Sequence, residues 1–150
     1  MTALPDREGI ARLVPHAGSM CLLDRVLGWD ASGIRCVATS HRDPANPMRT
    51  GSGLLAVTAI EYAAQATALH GGLGAGAGGA TARMAGMLAS ARNVRCHRVR
   101  LDDLAGDLVV EATQLAADER QLLYAFTVGH GGEDVVTGRL SVVLAAGVVA

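Results

Sequence analysis

The chain has 150 residues, half of them hydrophobic, a formal net charge of −1 and an isoelectric point near 6.5. That length predicts one domain over residues 1–150, with a core that needs no disulfide or metal, and the charge balance excludes the basic footprint of a nucleic-acid binder or a polybasic membrane-surface protein. Aromatic residues make up only 3%, so Ala, Val and Leu must build the core, and three cysteines without a CxxC pair point to a reducing cytoplasm rather than a secreted disulfide framework.

The N-terminal MTALPDREGIARL places Asp6 and Glu8 where a signal peptide would need an apolar stretch, and no run reaches the ~20 apolar residues of a membrane span. A soluble, untargeted chain is expected. Residues 6–13 can form a short helix. A turn in VPHAGSM leads into a strand, Asp30, Ser32 and Gly33 mark a turn, and GIRCVATSH alternates with a period of two. The pattern predicts a hairpin of roughly 22–29 with 33–41.

RDPANPMRTGSG, with two prolines and two glycines, reads as a loop. The alanine-rich stretch from Leu54 to Leu69 then predicts a helix of about four turns. GGLGAGAGGA, residues 71–80, is expected to end that helix as a flexible loop, since glycine lowers helix propensity. RMAGMLASARNVRCHRVRL, DLVVEATQLAA, RQLLYAFTVGH and DVVTGRLSVVLAA follow as four strand candidates separated by polar turns. With no helix between them the sheet should be antiparallel, and the class is α+β with one long buried helix.

Inside that apolar helix stand Glu61 and Gln65, four residues apart and so on one face with Thr58. The remaining sides are apolar nearly all round, so the helix should be wrapped by other structure. Burial disfavours a charged carboxylate and equips a Glu to donate a proton near neutral pH. Alternatively Glu61 reaches a surface or pairs with one of the thirteen basic residues, all arginine, while Gln65 ties down backbone groups.

PHAGSMCLLDRV, the loop followed by IEYAAQ, and the later strands resemble the hotdog-fold dehydratases of fatty-acid synthesis, which act on 3-hydroxyacyl-acyl carrier protein. Pro15, His16, Asp24, Arg25 and Val26 match one family motif, and Glu61 and Gln65 match its helical Glu-x-x-x-Gln. HRDPANP, IEYAAQA and HGGL are closer to the dehydratase-like proteins of aryl-polyene and related polyketide gene clusters. The resemblance implies a hotdog fold, an antiparallel sheet wrapped around a central helix. It also implies a homodimer or heterodimer with a related hotdog subunit, and an acyl carrier protein or acyl-CoA thioester as substrate.

In the resembled enzymes a His-Phe-Pro-Gly loop supplies a base that works with the helix carboxyl of the partner subunit. Here that tetrapeptide is absent: its gap-free position falls on Pro47, and the only loop histidine, His41, lies six residues earlier. Either the loop returns His41 towards Glu61, or the chain has lost the standard base and completes the site of a competent homologue. The first option places His41, ending a strand, beside the helix-feeding loop. His16, beside Pro15, could line the same cavity, whereas His70, His97 and His130 read as structural or exposed.

No histidine or cysteine pair has metal-ligand spacing, so neither metal nor cofactor is expected. GAGAGG satisfies GxGxxG but follows a helix and precedes a strand, the reverse of the dinucleotide-binding order. Arg92, Arg95, Arg98 and Arg100 fall along one strand candidate, a positive patch suited to an acidic carrier protein or its phosphopantetheine phosphate; a solvated strand is the alternative. No serine sits in a GxSxG elbow, so a covalent acyl-enzyme is unsupported. A dehydratase is the leading expectation; a thioesterase using Glu61 to activate water, a non-catalytic partner subunit and an acyl-binding module are the rivals.

Overall fold

A computed structural model describes residues 3–13, 20–77 and 84–149, so Pro15 and His16 lie outside the described residues. Helix α1 spans Arg7–Leu13, with Glu8 in its first turn and Arg12 in its last, the charge order that suits the helix dipole. The Asp6 carboxylate accepts the Gly9 N–H at 3.1 Å and caps it. Strands β1 (Arg25–Trp29) and β2 (Gly33–Ala38) form the expected hairpin, matching the prediction at the turn and shorter by three residues per strand at the open end. Its turn is made by Asp30, whose Oδ1 accepts the N–H groups of Ser32 at 2.8 Å and Gly33 at 3.0 Å.

The chain then crosses a loop to α2 (Ala59–Ala77), preceded by a 3-10 turn over Ala56–Thr58. Strands β3 (Met84–Cys96), β4 (Leu108–Ala117), β5 (Gln121–His130) and β6 (Glu133–Val149) follow. All six strands lie in one antiparallel sheet of order β1-β2-β4-β5-β6-β3. Gly131 and Gly132, both with positive φ, make the β5–β6 turn that side chains disfavour.

One sheet face presses on α2. Leu108, Val110 and Ala112 of β4 and Tyr124, Phe126 and Val128 of β5 share one core with Ala59, Tyr62, Ala63, Ala66 and Leu69, and Val136 and Leu140 of β6 extend it. The alanines bring the helix axis close to the sheet, as the composition requires. This is the hotdog arrangement, in the α+β class the sequence predicts.

Three expectations need correction. The helix does not stop at Leu69 but continues through Gly71–Gly74 to Ala77, because Gly72 abuts Leu13 of α1 and Leu73 packs against the core. Nor is it wrapped on every side: Val57, Ala68, Gly71 and Gly74 are exposed along one strip, with Glu61 and Ala64 half-buried in it. Finally, β3 ends at Cys96, so Arg98 and Arg100 leave the strand and form ion pairs with Glu133 and Asp102.

Candidate functional site

The site begins where the chain enters α2. Leu54 and Ala56 are stitched to the segment after β3 by backbone bonds, Leu101 N–H to Leu54 at 2.8 Å and Ala56 N–H to Val99 at 2.9 Å. The Asp102 carboxylate accepts the Leu54 N–H at 3.0 Å and pairs with Arg100 and Arg49. Hydrogen bonding from Arg100, with help from the Leu54 amide, holds that carboxyl far below the usual range. The helix start is therefore fixed, and Glu61 follows in its first turn.

One turn further, Gln65 is buried and spends its whole amide on the backbone before β1. Its Oε1 accepts the Leu22 N–H at 2.9 Å and its Nε2 donates to the Met20 carbonyl at 2.6 Å. This is the backbone-tying role the helix geometry allowed, and it makes Gln65 a positioning residue. Between the two, Tyr62 faces inward. Its hydroxyl donates to Ser40 Oγ at 2.8 Å and accepts from Asn46 Nδ2 at 3.2 Å, while Ser40 Oγ donates to the Leu22 carbonyl at 2.8 Å. Burial pushes the Tyr62 phenol up. Ser40, Asn46 and Tyr62 were not singled out in the sequence, although Tyr62 sits inside IEYAAQ and could have been flagged as a polar tip in an apolar helix.

His41 is placed in a 3-10 turn over Ser40–Arg42 rather than at a strand end, and it is fully buried. Its Nε2 donates to the Leu104 carbonyl at 3.0 Å, which fixes the tautomer, and its Nδ1 has no hydrogen-bond partner among the described residues. Burial pushes its pKa down, opposed by the Leu104 carbonyl and reinforced by Arg42. Arg42 grips the Ala105 carbonyl and Asp107, and His130 Nε2 accepts the Gly106 N–H at 2.9 Å. His41 thus joins a clasp on the β3–β4 connection.

His70 is buried and structural, bonding the Tyr124 hydroxyl at 2.7 Å and the Asp30 carbonyl at 2.8 Å. Arg92 and Arg95 are exposed on β3; in register with Arg139 and Thr137 respectively, they lie on the sheet face turned away from α2. The structure brings Glu61 and Gln65 together with the Tyr62 network, and leaves the arginines apart. Among the described residues no group of three His, Cys, Asp or Glu side chains is arranged for a metal, and no helix is long and apolar enough to cross a membrane.

Comparison with known proteins adds the family. No curated protein matches the sequence. Among solved structures, the chain is similar to the dehydratase heterocomplex ApeI:P from Xenorhabdus doucetiae, with a TM-score of 0.82 and 27% identity over 92% of this chain and 91% of that one. An HP0420 homologue from Helicobacter felis (TM-score 0.64, 12% identity, 99% of this chain and 95% of that one) shares the fold alone. So does a hypothetical thioesterase with coenzyme A from Streptococcus pneumoniae TIGR4 (TM-score 0.56, 8% identity, 80% and 84%). A family model described as ApeP dehydratase, ApeP-like, matches residues 8–148, a span that takes in α2 with Glu61 and Gln65 and all six strands but the tip of β6. The chain belongs to the ApeP-like dehydratase family.

Proposed function

We propose that this chain supplies the acid of a two-subunit site that dehydrates a 3-hydroxyacyl thioester on acyl carrier protein. Glu61 is its catalytic group, and the base comes from a second hotdog subunit. The base removes a proton from C2, Glu61 protonates the departing C3 hydroxyl, a C2=C3 double bond forms, water leaves and the thioester stays intact. Gln65 and the Tyr62 network hold the surrounding chain in place.

The observation that carries this reading is the contrast between the two candidate groups. His41 is fully buried with one ring nitrogen committed to Leu104, whereas Glu61 stands in the open strip of α2. Exposed Val57 and Val99 flank the start of that helix, apolar surface of the kind a partner covers. The similar Xenorhabdus doucetiae structure is a heterocomplex, which supports a heterodimer here. The free cysteines fit a cytoplasmic setting. Carrier protein is preferred over coenzyme A because the resembled dehydratases act on carrier-bound chains.

A second reading keeps His41 as the base within this chain. It is favoured by the ring being held neutral by burial and by the Nδ1 lone pair that no described donor occupies. The test is mass spectrometry of 3-hydroxyacyl-acyl carrier protein incubated with the chain alone and with a histidine-bearing hotdog subunit, using Glu61→Gln, His41→Gln and His16→Ala variants. Activity only in the pair, abolished by Glu61→Gln and kept by His41→Gln, is the expected result. Water loss by the chain alone, abolished by His41→Gln or by His16→Ala, would replace it with a self-sufficient site.

A further inference from the structure

Strand β3 closes one end of the sheet, with β6 on one flank, and among the described residues no strand lies beside its other row of backbone N–H and C=O groups. The outward-facing side chains of this edge carry charge of one sign. Arg92 lies directly opposite Arg139 on β6, an arrangement that costs stability when both are cationic. Arg139 is also in register with Ala125, whose neighbours Tyr124 and Phe126 point into the core, so Arg139 and Arg92 share the face away from α2.

A bulge at Asn93, whose φ is +53°, then keeps the next arginine on the same face. Val94 turns inward against Gly138 and Phe126, and Arg95 points outward again, opposite Thr137. Without the extra residue Arg95 would point at the core. The cluster also differs from most arginines of the chain: Arg7, Arg12, Arg35, Arg42, Arg49, Arg98 and Arg100 each have a carboxylate within ion-pair distance. Among the described residues none pairs with Arg92, Arg95 or Arg139, and the neighbouring outward positions are Ser90, Thr137 and Ser141.

We infer that Arg92, Arg95 and Arg139 make the β3 edge selective for a strand of a related subunit that carries carboxylates on the matching face, and against a second copy of this chain. A partner strand laid along β3 comes within about 5 Å of its neighbour, so its side chains on this face become cross-strand neighbours of Arg92 and Arg95. Acidic residues there gain charge-assisted hydrogen bonds from guanidinium groups that make none with the described residues of the single chain. A second copy instead gathers the arginines of both chains along one seam, and repulsion of that kind is what directs a subunit to a different partner. The inference deepens the two-subunit reading above by naming the chemistry of the second subunit.

The test needs no knowledge of the partner. The native chain, the variant R92E/R95E/R139E and their equimolar mixture are compared by sedimentation velocity, with reductant because Cys96 is exposed. The mixture is expected to associate roughly tenfold or more tightly than either component with itself at low salt. Raising the salt to about 0.5 M should weaken the mixed species and strengthen native self-association, opposite signs that follow from screening attraction and repulsion. R92Q/R95Q/R139Q covers the case in which the reversed variant does not fold, and should self-associate more than the native chain does. The inference is overturned if the mixture is no tighter than the native chain alone, which is what arginines serving only to blunt an exposed edge would give. It is also overturned if the native chain forms a tight dimer that salt weakens, or if the substitutions abolish only the binding of an acidic acyl carrier protein. No readout involves turnover, so a failure here leaves the dehydratase reading standing, and an inactive pair leaves this inference standing.

Discussion

Gln65 accepts the backbone N–H of Leu22 at 2.9 Å across 43 positions of sequence, and the same amide donates to Met20 at 2.6 Å. The segment leading into β1 is thereby fastened to the helix that carries Glu61. Gln65→Ala leaves a buried donor and acceptor unmet and should cost about 2–4 kcal/mol of unfolding free energy. Gln65→Glu should do no better, because a carboxylate then faces the Met20 carbonyl. Urea titration checks both, and a loss below about 0.5 kcal/mol for the alanine variant would show that the fastening is dispensable.

The His41 ring gives a pH dependence of known sign. Its folded-state pKa lies below the ordinary 6.5 because burial disfavours the cation, with Arg42 and His130 as further positive or titratable neighbours. Well above 6.5 the ring is neutral in both states and contributes no slope. As pH falls through 6.5 towards the folded value, the unfolded chain binds a proton that the native ring refuses, and native stability declines. The slope approaches about 1.4 kcal/mol per pH unit for one proton. Chemical denaturation of native and His41→Leu protein between about pH 7 and 5 should therefore show a steeper acid loss in the native chain, and parallel curves would refute it.

His70 and Tyr124 meet edge-on, ring centroids 5.6 Å apart, and the tyrosine hydroxyl reaches Nδ1 at 2.7 Å. Because Nε2 faces the Asp30 carbonyl and must donate, Nδ1 accepts from the hydroxyl. Burial pushes the Tyr124 phenol up to about 12, so it keeps its proton to give. Tyr124→Phe and His70→Leu should each destabilise by about 1–3 kcal/mol, with a coupling near 1 kcal/mol in a double-mutant cycle. Strict additivity would mean that the bond carries no energy of its own.

A methyl group at Gly138 would stand 2.8 Å from Phe126 Cε2 and 3.1 Å from Val94 Cγ2. Gly138→Ala should cost about 1–3 kcal/mol through overpacking. Pairing it with Phe126→Leu should recover part of that loss in thermal unfolding, whereas a purely additive deficit would argue that the glycine serves the backbone instead.

The sheet was legible in the sequence because its alternation is strong: β4, β5 and β6 appear where period two places them, and their polar turns fall where expected. The far end of α2 was not. Glycine costs about 1 kcal/mol of helix propensity per residue, but Gly72 lies against Leu13 of α1 and Leu73 packs against the core, so contacts distant in sequence overrule the local preference. The open strip was hidden for a related reason, since Ala and Gly look apolar whether buried or exposed. Helical spacing puts Glu61 and Gln65 on one face of the helix, but their site reading comes from the family resemblance. The Tyr62 network could not be read from spacing, because its partners come from positions 40 and 46. The direction of His41 was likewise out of reach, as its acceptor lies 63 residues away. Periodicity says nothing about where such a ring will turn.

The stitching of Leu54 and Ala56 to Leu101 and Val99 has a mechanical consequence. The strand at the sheet's end runs straight into the segment that seats the first turn of α2, so the edge and the carboxyl of Glu61 belong to one continuous lever rather than to separate parts. Sliding that strand along β6 would drag the helix start with it and shift Glu61 along the helix axis. The register of the edge strand and the position of the Glu61 carboxyl are therefore mechanically linked.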